Sequence, residues 1–559
     1  MKKKLLVAAA ILTCLNTISF AQIPFSTRDS VDINKLNAQL AVHGDMWWVP
    51  SPYGPGVEFP KHSGKYIGFA SAVWMSGYDA ANQLHVSAQM YRQTGNDYWP
   101  GPLDAAGNLS YATSLNWAKI WKVTRADIQA FRAMTSHTTA STPAAILTWP
   151  ASGNTYAAGN AGAALTIPAG IDLAPFVDLN GNGIYEPLSG EYPDVKGDQT
   201  LWYVFSDNGP SHNETNGAPL KVEVQMMAYG YNRGTAIDNV IYYEYKVKNR
   251  SANNYHDFRI SQFADLDLGY YHDDFIGFDS ARRLGIMYNG SCADGADAGF
   301  PVNSYGMGQP VVGVTIVEQP GDVCGSYTPA GCFDYFNNDN GIVGNPTTDT
   351  QYNNYMRAKL RNGSHFTNDF AGPGISSKGF GSGAPVNYVF TGDLADTTQW
   401  SELASGNPPG DRKFLLTSND FSLSAGQTQK MVIALLVTDT GVAAGGGCLH
   451  PSFPHIRALA DTAWRAYCNP PAPLSVENTA AGAGFAVSPN PAHDILHITM
   501  DEGDDTQLSV YNAVGQAMHV PITGSGNSRE ISIANFPVGI YYLLYRNGAT
   551  QQAVRFEKL

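Results

Sequence analysis

The sequence predicts a mainly β protein, in which a β-sandwich-like domain with a few short helices precedes a small immunoglobulin-like β-sandwich at the C-terminus. The composition favours turns and strands, because 57 glycines, 33 prolines and 30 tyrosines occur among 559 residues. Short apolar runs that alternate with polar residues recur along the chain, and turn-forming residues separate them. Charged residues make up only 15% of the chain, which is unlike a helical cytosolic enzyme.

The first 21 residues have the three parts of a secretory signal peptide. A basic start (MKKK) is followed by an apolar run (LLVAAAILTCL) and by small residues that end at Ala21. The apolar run is shorter than the roughly 20 residues that span a bilayer. We therefore expect cleavage after Ala21, and we expect a secreted mature chain that has no transmembrane segment.

The charge of the mature chain restricts its partners. The signal peptide contains three of the 34 basic residues. The mature chain therefore has 31 basic and 48 acidic residues, and its net charge is −17. Such a surface repels nucleic acid and anionic lipid, and it favours cations. We expect no nucleic-acid partner.

The cysteine content fits an oxidising compartment. Cys292, Cys324, Cys332, Cys448 and Cys468 remain after cleavage, enough for two disulfides and one thiol. The sequence-near pairings are Cys324 with Cys332 and Cys448 with Cys468, but sequence alone does not fix the connectivity.

Residues 22–170 form an aromatic-rich region that we expect to be largely β. A capping box of Thr124 and Asp127 predicts one short helix, because Ile128, Phe131 and Met134 follow at helical spacing. The large aromatic side chains either build a core or form platforms that stack on sugars, and the core is the expected role. They are Trp47, Trp48, Tyr53, Trp74, Tyr78, Tyr91, Tyr98 and Trp99.

Residues 171–470 are predicted to form a β-sandwich-like domain with acidic loops. The stretch IYYEYKVKNR alternates strictly, which places Tyr243, Tyr245 and Val247 on the face opposite Glu244, as in an antiparallel sheet with one solvated face. Near the end, FPHIRALADTAWRAY has helical periodicity and predicts a helix that braces the sheet.

The stretch DLNGNGIYEP resembles the start of a calcium loop. Its candidate ligands are Asp178, Asn180, Asn182, the carbonyl of Ile184, and Glu186. Ser189 occupies the position where an EF-hand has glutamate, and Pro187 prevents a following helix. We therefore expect a short structural calcium turn of low affinity, on the order of 10⁻⁴ to 10⁻³ M. The alternative is a metal-free turn, since Asn and Gly are also turn residues.

A second acidic cluster lies in DLDLGYYHDDFIGFDS and contains Asp265, Asp267, Asp273, Asp274 and Asp279. These carboxylates repel one another unless Arg282, Arg283 or a cation lies among them. The cluster is a second calcium site, a carboxylate pair for glycoside hydrolysis, or a solvated acidic loop.

No strong catalytic motif is present. The sequence lacks the GxSxG, HExxH and Walker A patterns, and the histidines are scattered singly. Whether the protein is an enzyme stays open, and a non-enzymatic role is favoured.

After a linker over residues 471–484, residues 485–559 contain short alternating strands separated by turns. The characteristic stretches are SPNP, YNAVG, PVGIYY and VRF. In these stretches the segment resembles the C-terminal sorting domain of the Bacteroidetes type IX secretion system. The resemblance assigns the sorting signal to Pro489, Asn490, Pro491, Gly515, Gly539 and Tyr541.

The resemblance implies export across the outer membrane by the type IX machinery, to the cell surface or the medium. In that family a sortase-like peptidase often removes the domain and attaches the cargo to surface lipopolysaccharide. Four stretches of the remaining chain, which begin GDMWWV, SGKYIGFASAVWM, APFVDLNGNGIYEP and FADLDLGYYHDD, are similar to stretches in large exported proteins of the same bacteria, for which no activity is established. That second resemblance provides no catalytic residues.

Two functions therefore remain as hypotheses. The first is a calcium-stabilised surface protein for binding or adhesion, with glycans among its expected partners. The second is a secreted hydrolase of polysaccharide that uses carboxylates of the cluster from Asp265 to Asp279. A deep cleft that holds two of these carboxylates beside exposed tryptophans would favour the enzyme.

Overall fold

The computed structural model describes residues 27–50, 53–91, 95–324, 327–393, 396–438, 453–471, 485–500, 507–512, 516–525, 527–547 and 550–559. The chain divides into two compact units, Met1–Pro471 and Ala472–Leu559. The predicted signal peptide, residues 472–484 of the linker, Cys448 and Gly515 lie outside the described residues.

The first unit contains 26 described strands and six helices. The strands are β1 Arg28–Val31, β2 Asn37–Ala41, β3 Asp45–Met46, β4 Trp48–Pro50, β5 Tyr53–Pro55, β6 Val57–Glu58, β7 Tyr66–Gly68, β8 Ala70–Tyr78, β9 Leu84–Ser87, β10 Trp99–Pro100, β11 Trp121–Thr124, β12 Phe176–Val177, β13 Tyr192–Pro193, β14 Gln199–Ser206, β15 Val222–Gly230, β16 Val240–Asn249, β17 Tyr255–Asp265, β18 Asp274–Asp279, β19 Leu284–Asn289, β20 Val312–Glu318, β21 Cys332–Asn337, β22 Thr367–Asn368, β23 Ala384–Pro385, β24 Arg412–Thr417, β25 Phe421–Leu423 and β26 Thr428–Val437. The helices are α1 Tyr111–Trp117, α2 Arg125–Arg132, α3 Ala144–Leu147, α4 Asp349–Tyr355, α5 Glu402–Ser405 and α6 Phe453–Cys468.

Two large antiparallel sheets organise these strands. Sheet A has the order β21-β24-β17-β8-β3-β2-β6-β7, with β1 on β2, β25 on β17 and β9 on β8. Sheet B has the order β10-β14-β15-β16-β26-β20-β19-β18, with β11 on β14. The prediction of a mainly β fold is confirmed, because strands account for 37% of the structure and helices for 12%.

The main hydrophobic core lies between sheets A and B. Buried side chains of both sheets form one cluster, to which β8 and β17 contribute Trp74 and Phe263 and β16 contributes Tyr243 and Tyr245. The hydroxyl of Tyr245 donates a hydrogen bond of 2.9 Å to Oε1 of Gln262 on the opposite sheet. The polar ends of these tyrosines thus have partners, as the burial of a hydroxyl requires.

Helices and loops cover the outer face of sheet B with a second core. Helix α2 begins after Thr124, which forms the predicted capping box with Asp127. Helix α6 buries Ile456 on this face, and the hydroxyl of Tyr242 donates to the carbonyl of Ala463 at 2.8 Å. Both helices predicted from the sequence are therefore present, and α6 braces the sheet.

The disulfide pairing differs from both sequence-near pairings. Cys324 is bonded to Cys468, and Cys332 is a free, buried thiol on β21. The reason is spatial: Cys332 belongs to sheet A, whereas the segment after β20 runs beside the end of α6 on sheet B. Cys292 is also disulfide-bonded.

The structure does not separate a region 22–170 from a region 171–470. Strand β8 pairs with β17 in sheet A, and β11 pairs with β14 in sheet B. Both stretches of sequence contribute strands to both sheets, so they form one unit. A boundary at this point was suggested by composition, and antiparallel pairing between distant strands overrides it.

The second unit is a small sandwich of two four-stranded sheets. Its strands are β27 Phe485–Ser488, β28 Ile495–Met500, β29 Gln507–Asn512, β30 Ala517–Met518, β31 Ile522–Ser525, β32 Ser528–Ser532, β33 Gly539–Asn547 and β34 Thr550–Lys558. The sheets have the orders β27-β28-β32-β31 and β30-β29-β33-β34. Leu496, Ile531, Leu543 and Phe556 lie in the core between them. No helix in the described ranges of the chain is long and apolar enough to cross a membrane.

Candidate functional site

The candidate site lies at one end of sheet A, where β17 ends and β24 begins. Asp265 is the last residue of β17, and it pairs with Ala70 on β8 and with Lys413 on β24. In an antiparallel ladder, paired residues place their side chains on the same face of the sheet. The register therefore brings a carboxylate and a lysine together at this edge.

Three carboxylates converge just beyond the ladder. When the register is continued by two residues, Asp267 faces Asp411, and the period of two places Asp265 and Asp267 on the same side of the chain. One carboxylate oxygen from each of Asp265, Asp267 and Asp411 lies within 4.8 Å of the others. The pairing of two strands far apart in sequence thus builds the cluster.

Tyr91 and Lys413 flank the carboxylates. The hydroxyl of Tyr91 donates a short hydrogen bond to Oδ2 of Asp265. The Lys413 ammonium is buried, lies 5.2 Å from the ring centre of Tyr91 and donates to Oδ1 of Asn345 at 3.5 Å. One buried positive charge therefore accompanies three carboxylates.

Burial dominates the electrostatics of this group. It raises the pKa of Asp265 to about 6, while Lys413 acts in the opposite direction. Burial, together with the charges of Asp265 and Asp411, raises the pKa of Asp267 well above its ordinary value. Burial and the adjacent Asp265 also raise the pKa of Tyr91. All three shifts favour the protonated form, because burial and the neighbouring carboxylates both disfavour a negative charge here.

The carboxylates lie in a cleft of about 720 Å³. Six aromatic residues line it, namely Tyr53, Tyr66, Phe69, Tyr91, Tyr271 and Tyr352. Six asparagines also line it, namely Asn213, Asn216, Asn303, Asn338, Asn340 and Asn345. The volume and the mixture of rings with convergent polar groups are typical of a small-molecule site.

The exposed rings in the cleft are tyrosines and not tryptophans. Tyr53 is 55% exposed and Tyr271 is 40% exposed. Trp47, Trp48, Trp74 and Trp99, together with Tyr98, are buried. Most of the aromatic-rich sequence therefore builds cores, as expected, and the tryptophan platforms that would favour an enzyme are buried in this region.

The other three carboxylates of the predicted cluster lie elsewhere. Oδ2 of Asp273 accepts from the amide of Gly295 at 2.9 Å, and Oδ2 of Asp274 accepts from the amide of Leu268 at 3.1 Å. Both are buried, and burial raises the pKa of Asp273 to about 6. They organise the turn between β17 and β18.

Asp279 does not line the cleft, and it forms ion pairs with two arginines. Its Oδ2 lies 2.8 Å from Nε of Arg457 and 3.2 Å from Nη1 of Arg282. The pair joins β18 to α6, so this carboxylate has its positive partners and is not part of the convergent group.

The predicted calcium loop connects β12 and β13 over sheet B. The Asp178 carboxylate accepts from the amides of Gly181 at 2.7 Å and Gly183 at 2.8 Å. The Glu186 carboxylate accepts from the side-chain amides of Asn180 and Asn182, each at 2.8 Å.

The side-chain carbonyl of Asn182 accepts from the amide of Ile184 at 2.7 Å. Tyr185 points inward and is buried. Gly181 and Gly183 have positive φ values of 75° and 73°, which glycine adopts without strain. The predicted ligands thus surround one turn, and calcium binding by this turn stays a prediction.

Sequence reasoning missed Asp411, Lys413 and Asn345. Asp411 stands alone in PPGDRKFLL, and its proximity to Asp267 follows only from the β17–β24 register. An aspartate directly before a strand is a signal of interest only when the partner strand is known.

In the second unit, Asn490 links the SPNP stretch to the last strand. Its side chain donates to the carbonyl of Arg555 and accepts from the amide of Glu557, each at 2.9 Å. Pro489 and Pro491 are exposed, and Gly539 begins β33.

Tyr541 is buried, and its hydroxyl donates to the carbonyl of Pro537 at 2.8 Å. These contacts give the motif residues a structural role within the sandwich.

Comparison with known proteins identifies the second unit. Residues 486–557 match the family model described as the secretion system C-terminal sorting domain. The resemblance to a type IX sorting domain is confirmed. The protein is therefore secreted through the type IX machinery, with which this domain interacts, to the cell surface or the extracellular space.

Two further comparisons concern the chain as a whole. No curated protein matches the chain. A solved structure of a polysaccharide lyase has 8% identity to this chain, covers 60% of it and is itself covered to 34%, with a TM-score of 0.18. The chain thus spans about a third of the length of that lyase. A likeness at that TM-score carries no argument about fold or activity.

Proposed function

We propose that this exported protein is a binding component of the cell surface, that its cleft at the end of sheet A takes an extracellular glycan, and that calcium stabilises its fold. The observation that carries the proposal is the lining of the cleft. Exposed tyrosine rings and six asparagine amides surround one cavity of about 720 Å³.

The chemistry of a sugar matches this lining. Aromatic rings present flat apolar faces to the C–H face of a pyranose, and they keep a polar tip for water or ligand. Asparagine amides both donate and accept hydrogen bonds, as sugar hydroxyls do. Tyr53 and Tyr271 supply the exposed rings, and Asn340 is among the amides.

Surface attachment completes the proposed role. A sortase-like peptidase would remove residues 485–559 and join the cargo to surface lipopolysaccharide, as the sorting domain implies. A glycan-binding cleft on an anchored protein would then serve adhesion or retention of polysaccharide at the cell.

A glycan array with the mature chain from Gln22 tests glycan binding. The glycan that binds is then titrated into Tyr271→Ala, and we expect about two- to tenfold weaker binding, because an aromatic contact contributes about 0.5–1.5 kcal/mol. Tyr156→Ala is the matched control, since Tyr156 is also 40% exposed and lies outside the cleft. No binding across the array, or equal loss in both variants, would contradict the proposal.

A second candidate function is hydrolysis of a polysaccharide. The observation in its favour is that Asp265 and Asp267 share the cleft and both have raised pKa values, to about 6 for Asp265. A carboxyl with a raised pKa can act as a general acid, and an ionised neighbour can act as the nucleophile. One oxygen of each carboxylate lies within 4.8 Å of the other, so the two groups are near enough to act on one bond.

Reducing-end release from the same polysaccharides distinguishes the two functions. A hydrolase would lose activity in Asp265→Asn and in Asp267→Asn while glycan binding persists. Binding without any release of reducing ends by the wild type would exclude hydrolysis and leave the binding function.

A further inference from the structure

The three carboxylates in the cleft have oxygen lone pairs that no described residue uses. Oδ1 of Asp265 is buried and has no hydrogen-bond partner, although Asp265 is only 3% exposed. Among the described residues, none donates a hydrogen bond to the carboxylates of Asp267 or Asp411. A buried carboxylate oxygen without a donor is costly, so a missing partner is indicated.

A positive partner suits the ionised carboxylates best. When all three carboxylates are ionised, Lys413 compensates only one charge, and its ammonium is directed to the Tyr91 ring and to Asn345. Neutral water satisfies the lone pairs but leaves the repulsion among the carboxylates. A cation satisfies both requirements.

The spacing fits one ion. Calcium binds oxygens at about 2.3–2.6 Å, so two oxygens on the same ion lie at most about 5 Å apart. The oxygens of Asp265, Asp267 and Asp411 lie within 4.8 Å of one another. All three groups are hard oxygen ligands, which calcium prefers, whereas other metals prefer thiolate or imidazole ligands.

We propose that Asp265, Asp267 and Asp411 bind a calcium ion in the cleft at the end of sheet A. The register of β17 and β24 holds the three carboxylates, so this site does not depend on the turn at Asp178. It also does not require that the cleft binds a glycan.

A calcium ion bound by these three carboxylates would have open coordination positions for a molecule that binds in the cleft. Calcium takes about six to eight oxygens, more than the three carboxylates supply in monodentate binding. Water or hydroxyls of a ligand in the cleft would complete the shell. Calcium would then strengthen ligand binding, in addition to stabilising the strand ends.

Isothermal titration of the mature chain with calcium chloride alone tests the site. We expect Asp411→Asn to bind one calcium ion fewer than the wild type, and Asp267→Asn to do the same. In EDTA, both variants should unfold at the wild-type temperature or above it, because removing one negative charge relieves the repulsion among the carboxylates. A loss of calcium binding in these variants would then not be caused by misfolding. Asp297→Asn, an exposed aspartate outside the cluster, is the control with the same charge change.

Each part of the calcium proposal has its own contradicting result. Equal calcium stoichiometry in the wild type and in Asp411→Asn would overturn the assignment of the site. No calcium binding by the wild type up to about 10 mM, above the range of extracellular modules, would exclude the site altogether. Displacement of calcium by an equal concentration of magnesium would contradict the choice of metal. A glycan array that fails while calcium binds would reject the glycan and leave this site intact.

Discussion

Arg283 and Asp322 form an ion pair inside the first unit, with 2.5 Å between Nη1 and Oδ2. Arg283 is fully buried, and its guanidinium also lies 4.2 Å from the ring centre of Tyr327. The sequence offers this arginine as a counter-charge for the acidic cluster from Asp265 to Asp279. The structure gives it a different partner, on the segment that follows β20.

Removing the charge of Asp322 should destabilise the first unit strongly. Asp322→Asn leaves the buried guanidinium without its counter-charge, and breaking a buried pair in this way costs about 3–5 kcal/mol of the free energy of unfolding. The midpoint of urea unfolding measures the loss. Asp420→Asn is the matched control, since Asp420 pairs with Arg259 at 3.5 Å but has a side chain that is 54% exposed. We expect about 0–1 kcal/mol there, and similar shifts in both variants would refute the distinction.

Loss of the Cys324–Cys468 disulfide should also destabilise the unit. The two cysteines are 144 residues apart, and closing a loop of that length stabilises the folded state by about 5 kcal/mol on the chain-entropy estimate. We expect the double variant Cys324→Ser with Cys468→Ser to unfold at a lower urea concentration. Alkylation of the unfolded, unreduced chain should label Cys332 and neither of the other two. Labelling of Cys468 would show that the pairing is different.

The buried Asp334 should make stability depend on pH. Both of its carboxylate oxygens are buried without a hydrogen-bond partner, and burial raises its pKa. The folded state therefore holds the proton more tightly than the unfolded state, so stability falls as pH rises above the unfolded value of about 3.9.

Asp334→Asn removes this titration. Relative to the wild type, its stability should rise by about 1.4 kcal/mol per pH unit from about pH 4 until the folded pKa is reached. Melting temperatures at pH 4 and pH 7 measure the effect. A constant difference between variant and wild type at both pH values would contradict a raised pKa.

Calcium should stabilise the turn between β12 and β13. In the wild type, we expect millimolar calcium to raise the melting temperature and EDTA to reverse the rise. Asp178→Asn should show a smaller rise than the wild type and keep the part that belongs to the site at Asp265, Asp267 and Asp411. Asp104→Asn is the control, because Asp104 Oδ1 accepts from the amides of Ala106 and Asn108 in a similar turn that contains no second carboxylate. An EDTA-insensitive melting temperature would reject calcium in this turn.

Removing residues 486–557 should stop export. The truncated protein should accumulate in the periplasm, because the sorting domain is the signal for the outer-membrane step. Asn490→Ala should weaken export without abolishing the fold, since it removes the link to Arg555 and Glu557. Ser532→Ala, an exposed change on β32, should export normally. Fractionation and immunoblotting measure the distribution, and surface display of the truncated chain would contradict this prediction.

Local patterns predicted much of the fold. The capping box at Thr124 and the alternation in β16 depend on neighbours within a few residues, so they are visible in the sequence. The partners of a strand are not visible in this way. For that reason, composition suggested a boundary near residue 170, although β8 and β17 pair across it.

The candidate site was only half predictable. Asp265 and Asp267 stood out because they are close in sequence, but Asp273, Asp274 and Asp279 stood out for the same reason and lie elsewhere. Asp411 completes the cluster from a distant strand. Charge density along the chain thus indicates where acids occur, whereas strand register decides which of them meet.

The position of the Cys324–Cys468 bond has a mechanical consequence. Cys468 lies three residues before the boundary at Pro471, and Cys324 lies two residues after Asp322, whose ion pair with Arg283 fixes that segment. A force applied to the first unit at its C-terminal end acts on Cys468 first. The disulfide transmits this force to the segment that follows β20. We therefore expect that a force applied at this end does not separate helix α6 from sheet B one turn at a time. A protein tethered at that end would bear shear forces across its sandwich.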